Sequence, residues 1–161
     1  TLRLALMQSL TPLQQKQATI GKKRPTNMLA AANKDNLILD YEGIQVSTFT
    51  KRQKSLLVAL IEEYVLNLNK EHATIKMDEV IAHLDKSYFA WVGDTKQKSV
   101  FYYRIHSPVI LIEFDHQAPV GLPKTKGPRK AVRQHIHTMV RTPNGNDYGK
   151  DLLGQHLKNH H

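Results

Sequence analysis

The chain's apolar positions recur with a helical period through its first half and alternate like strands through its second. Leu2, Leu6 and Leu10 share one helical face, which predicts a first helix over residues 2 to 9. Thr11-Pro12 reads as an N-cap followed by proline at the first helical position, and Gln14 completes a capping box. A second short helix is therefore expected over about 12 to 20, ended by Gly21. The polar "KKRPT" connection follows. "NMLAAANKDNLILDYEGIQVSTF" has no clear period; it predicts an irregular or briefly helical piece and a short extended segment near 37 to 41.

The strongest signal starts at Thr50, which caps a helix, with Gln53 supplying a second capping box. Leu57, Leu60, Ile61, Tyr64, Val65 and Leu68 then form one apolar stripe, predicting a helix of about five turns that organises the core. A shorter helix is expected to bury Met77, Val80, Ile81 and Leu84. After "SYFAWVGDTKQKS" the pattern turns strand-like. "VFYYRIH", "VILIEFD" and "QHIHTMV" are rich in β-branched and aromatic residues. Ser107-Pro108 predicts a tight hairpin between the first two; a longer Pro- and Gly-bearing connection spans Gln117 to Arg133. "GKDLLGQHLKNHH" predicts a closing helix that carries His156. These elements give a single α+β domain: N-terminal helices on an antiparallel sheet of at least three strands, closed by a C-terminal helix.

Composition narrows the chemistry. The 161 residues contain no cysteine, which excludes disulfides and thiolate metal sites. Net charge is +9, which favours anionic surfaces and ligands in general. "PKTKGPRKAVR" concentrates Lys124, Lys126, Arg129, Lys130 and Arg133, yet no interleaved aromatic or nucleic-acid motif accompanies it, so nucleic acid is disfavoured as a partner. No apolar run reaches the ~20 residues of a membrane span, so a soluble chain without a transmembrane segment is expected. "TLRLALMQSL" lacks a signal-peptide pattern, and a first residue of Thr1 suggests a processed or truncated chain.

Candidate chemistry concentrates in "RQHIHTMVRTPNGNDYG", residues 133 to 149. Strand alternation sets His135, His137, Met139 and Arg141 on one face and Ile136, Thr138 and Val140 on the other, the expected core face. Two imidazoles on one face can converge on a transition metal such as Zn, Cu or Fe. A third ligand is needed: His156 is the first choice, with Glu113, Asp115, His106 and His116 as alternatives. His160 and His161, at the end of the chain, are given no role. The competing reading is a histidine pair hydrogen-bonded to polar neighbours.

Glu113 is a candidate general base for a metal-bound water, as in a metal-assisted hydrolase or oxidase; otherwise it pairs with Arg104 or hydrogen-bonds Tyr102. Arg141 and Asp147 flank a turn and are expected to form an ion pair, unless Arg141 binds a substrate carboxylate or phosphate. The substrate is not legible. A non-catalytic structural or partner-binding module with a basic loop is the alternative function.

"YFAWVGDTKQKSVFYYRIHSPVILIEFDHQ" and "HIHTMVRTPNGNDYGKDLLGQH" together resemble the bacterial domain-of-unknown-function family 3500. The ordered motifs are Phe89 to Trp91 near the end of a helical stretch, Tyr102 to Ile105, Ile112 to Asp115, His135 and His137, Arg141, Asp147 to Gly149, and Asp151 to Leu153. The resemblance extends over residues 43 to 157. It implies the C-terminal portion of a longer protein, whose upstream half would carry a paired-histidine motif of its own and could complete the site. This chain has no "GHH" segment. The resemblance also implies a periplasmic or secreted location. The loop "QAPVGLPKTKGPRKAVRQ" is longer and more basic than the family connection.

Overall fold

The computed structural model describes residues 1–31, 34, 37–120, 130–143 and 156–159. Helices α1 (Leu2–Ser9) and α2 (Pro12–Ala18) open the chain, and β1 (Ile44–Gln45) is the next element. Then come α3 (Lys51–Val65), α4 (Lys70–Ala82), β2 (Tyr88–Gly93), β3 (Phe101–His106), β4 (Leu111–His116) and β5 (Ile136–Arg141). The five strands form one antiparallel sheet in the order β1-β2-β3-β4-β5. A helical turn over 156–159 lies at the C-terminal end. The architecture is α+β.

Both predicted capping boxes are present: Thr11 with Gln14 and Thr50 with Gln53. The two glutamines also bind each other, and the Gln53 amide donates to the Ser9 carbonyl at 2.8 Å. One polar node thus ties the start of α3 to the α1–α2 corner. Replacing Thr50 with Ala is expected to cost about 1 kcal/mol, the usual value of a lost N-cap. A chain of this size should then melt about 2–4 °C lower; an unchanged melting temperature would show that the cap is not needed.

Helix α3 is shorter than its stripe suggests. It ends at Val65, where the Asn67 side-chain amide donates to the carbonyls of Glu63 and Tyr64. Leu68 therefore falls in an exposed connection, and Asn69 caps the next helix. Ile81 of α4 is likewise exposed rather than core-facing. "YFAWVG", expected at the end of a helical stretch, is strand β2. Its aromatics satisfy a sheet better than a helix, since Trp91 stacks on Phe101 at 4.4 Å across the strand pair. The extended segment expected near 37 to 41 forms no strand; pairing begins at Ile44.

The register gives the sheet two different faces. Phe89, Trp91, Phe101, Tyr103, Ile105, Ile112 and Phe114 point to one side and join Leu6, Met7, Leu57, Leu60 and Ile61 in the hydrophobic core. The opposite face carries Tyr102, Arg104, His106, Glu113, Asp115 and Arg141, and all six are buried. An antiparallel sheet commonly leaves its polar face in water. Here a strap lies across it, made of the described residues between α2 and β1.

The strap's far end is fixed by Gly43, whose φ of +94° only glycine adopts freely. A Cβ at this position would run into the Phe89 carbonyl oxygen and come within 2.8 Å of the Ala90 Cα.

Candidate functional site

The strap is bound by the polar side chains beneath it. Glu113 accepts hydrogen bonds from the Leu29 amide at 2.8 Å, the Ala30 amide at 2.7 Å and the Tyr102 hydroxyl at 2.8 Å. Of the two non-catalytic alternatives for this residue, the Tyr102 hydrogen bond is the one found. Burial, followed by the neighbouring Glu113 charge, drives the Tyr102 pKa well above its usual value, so its hydroxyl stays a donor. The carboxylate offered by the sequence as a general base is committed to holding backbone.

Arg141 is buried and donates to the Lys34 carbonyl at 2.6 Å, with the Ala30 carbonyl at 3.5 Å. Asp147, its expected ion-pair partner, lies outside the described residues. Arg24 reaches in from the strap to Asp115 at 2.8 Å and also donates to the His116 carbonyl. Burial raises the Asp115 pKa, and Arg24 opposes that rise.

His135 and His137 lie at the open edge of the same face. His137 pairs with Asp115 in the strand register, and His135 immediately precedes β5. Their rings stand edge to face with centroids 4.7 Å apart, and the two Nε2 atoms are 2.9 Å apart. His135 Nδ1 lies 2.7 Å from the Ala118 carbonyl oxygen. A carbonyl can only accept, so Nδ1 carries the proton and the neutral ring presents its Nε2 lone pair. His137 Nε2 is then the donor between the rings.

An open cleft of about 950 Å³ lies between the strap and β5, with Asn27, Leu29 and Lys34 on one side and Gln117, His137 and Met139 on the other. The two imidazoles approach each other, and His137 lines the cleft.

The core-facing set on β5 is a correction. Ile136 and Val140 are 43% and 47% exposed, and Thr138 is exposed too. They occupy the helix-side face of the sheet, but the core spans β1 to β4 and takes in no residue of β5. Arg141, on the other face, is the strand's buried residue.

No third ligand joins the pair: among the described residues, no group of three His, Asp or Glu is placed to hold an ion. His156 sits exposed on the 156–159 turn. His116 is on the helix-side face between Phe101 and Phe114, and its Nδ1 meets the Phe101 backbone. His106 lies on β3, two strands from β5, under the other end of the strap.

The family described as protein of unknown function (DUF3500) matches residues 1–150. The chain belongs to this family. The match takes in the N-terminal helices and the strap as well as the strand motifs that carried the resemblance, and the family description assigns no reaction. No curated protein and no solved structure matches the chain. Among the described residues no helix is long and apolar enough to cross a membrane.

Sequence reasoning missed Arg104 and His106 as members of a buried polar face. The signal was available in "YYRIH", where alternation sets Tyr102, Arg104 and His106 together opposite the core aromatics.

Proposed function

We propose that this protein binds a divalent first-row transition metal, Zn, Cu or Fe, through Nε2 of His135 and His137 at the mouth of the strap cleft. The observation that carries the reading is the approach of the two Nε2 atoms to 2.9 Å, with His135 oriented by the Ala118 carbonyl. Ligating histidines characteristically donate their other ring N–H to such an acceptor, which fixes the tautomer and strengthens the ligand. Tetrahedral zinc with Zn–N bonds of about 2.0–2.1 Å sets its nitrogen ligands roughly 3.3 Å apart. A cation replacing the shared proton would need only a few tenths of an ångström of ring movement and the other tautomer of His137.

Two imidazoles leave several coordination positions open, the condition for water activation or oxygen chemistry once further ligands are supplied. A group outside the described residues or an upstream half of the protein would supply them. A metal-dependent hydrolase or oxidase is the reaction class that fits. The base would not be Glu113, whose lone pairs serve the strap.

The experiment is a Zn(II) and Cu(II) titration of protein without an added histidine tag and with His160 and His161 replaced by Ala. His135→Ala and His137→Ala should each weaken binding by at least about tenfold, the lower end of what even a supporting partner of a metal ligand costs. Metal affinity unmoved by both substitutions removes the proposal.

A further inference from the structure

The covered face holds a second group of polar atoms, used neither to fix the strap at Leu29 and Ala30 nor to bind metal. Arg104 is 1% exposed, and only its Nη2 is engaged: 2.5 Å from Glu42 Oε2 and 3.4 Å from the Asp40 carbonyl. Among the described residues, its Nε and Nη1 make no well-formed hydrogen bond. Two positions along β3, His106 is equally buried, and among the described residues neither ring nitrogen makes a well-formed hydrogen bond, the Asp40 backbone being the polar group nearest to serving one of them. Buried polar atoms without good partners are costly and rare in folded proteins, so two guanidinium donors and an imidazole donor and acceptor on neighbouring side chains point to a ligand.

Among the described residues, the sheet offers Arg104 little beyond the oxygen of the Tyr102 hydroxyl, which faces it while donating to Glu113. Glu113 is opposite Arg104 in the register, but its oxygens face Leu29, Ala30 and Tyr102. Ala90, on the other side, has no polar side chain. What closes the site is the strap segment 39–42, which has no secondary structure. Its Tyr41 ring, 40% exposed, lies 4.3 Å from the His106 ring and 5.1 Å from that of Tyr88. The Glu42 side chain is half exposed, and the left-handed Gly43 follows it.

We propose that Arg104 and His106 form a binding site for a small organic carboxylate, covered by the 39–42 segment, in which Glu42 holds the guanidinium until the ligand's carboxylate displaces it. Nη2 belongs to both two-nitrogen edges of a guanidinium, so Glu42 leaves one unused donor on either edge. An incoming carboxylate with free orientation takes a whole edge in a bidentate pair, which is stronger than the single contact it replaces. His106 donates a ring N–H to the ligand, and the Tyr41 and Tyr88 rings receive its organic body. One guanidinium supplies one positive charge, with the Glu113 carboxylate a strand away, so a monoanion fits better than a phosphate dianion. This site is independent of the histidine pair on β5.

The test uses sodium benzoate as probe, with sodium phosphate and sodium chloride at matched ionic strength, followed by the ¹⁵N–¹H signal of Arg104 Nε. Benzoate should shift that signal saturably, and phosphate and chloride should not. Glu42→Gln removes the internal rival and should tighten benzoate binding by about tenfold, since apparent affinity scales with the fraction of molecules that are open. Arg104→Lys, which keeps the charge but loses the two-nitrogen edge, should weaken it by about tenfold or more.

No benzoate response in either the unaltered protein or Glu42→Gln overturns the site, as does equal affinity in Arg104→Lys. A response to phosphate without one to benzoate overturns the carboxylate assignment. Should Arg104→Lys fail to fold, the Glu42→Gln titration decides alone.

Discussion

Glu113→Ala lowers the stability of the folded protein by about 3–5 kcal/mol, the cost of breaking a buried, charge-assisted polar network from one side. The carboxylate is fully buried and is the common acceptor of two consecutive strap amides and the Tyr102 hydroxyl. Removing it leaves all three donors without their acceptor, and the Ala30 amide and Tyr102 hydroxyl, which are buried, pay the desolvation penalty in full. The melting temperature should fall by roughly 10 °C or more for a chain of this length. Glu113→Gln should lose less, because it keeps one acceptor oxygen while turning an amide towards one of the donors. Urea unfolding of the three proteins is the measurement. A loss below about 1 kcal/mol for the Ala variant would mean that the strap is held by other contacts.

Acid should destabilise the fold through His106. Burial first, and then the neighbouring Arg104 charge, pull its pKa from 6.5 down to about 4. Between these values the unfolded chain binds a proton that the folded protein refuses, so stability falls as pH is lowered through that window. At about 1.4 kcal/mol per pKa unit, the loss between pH 7 and pH 4 is on the order of 3 kcal/mol.

His116, also lowered by burial, acts in the same sense. Asp115 acts in the opposite one, because its raised pKa makes the folded protein take up a proton before the unfolded chain does. The groups around His106 are Arg104 on its own strand, Tyr88 on β2, and Asp40 and Tyr41 on the strap. Urea titrations at several pH values between 7 and 4 isolate the effect. The stability of His106→Phe relative to the unaltered protein should rise by about 3 kcal/mol as pH falls over that range. A pH-independent difference would show that His106 is not the group responsible.

Local chemistry made much of the fold legible. The two capping boxes are specified within four residues each, and both form. The apolar stripe of α3 and the Ser107-Pro108 hairpin are equally local, and Ser107 closes that hairpin through its backbone and side chain. His135 and His137 are two residues apart, so the pleat alone brings them to one face. "YFAWVG" was harder, because a short apolar run fits a buried strand and a helix end equally well. Its pairing with β3 decided it.

Alternation along the chain determined which side chains share a face: Arg104 with His106, Glu113 with Asp115, and the two imidazoles with Arg141. Tertiary structure alone decided what covers each face. The strap amides that bind Glu113 are 84 and 83 residues away from it in sequence, and no local period carries information over that distance. Burial follows from where the strap comes to rest, and burial turns an ordinary polar sheet face into one with a depressed imidazole at His106, committed carboxylates and guanidinium donors at Arg104 without good partners.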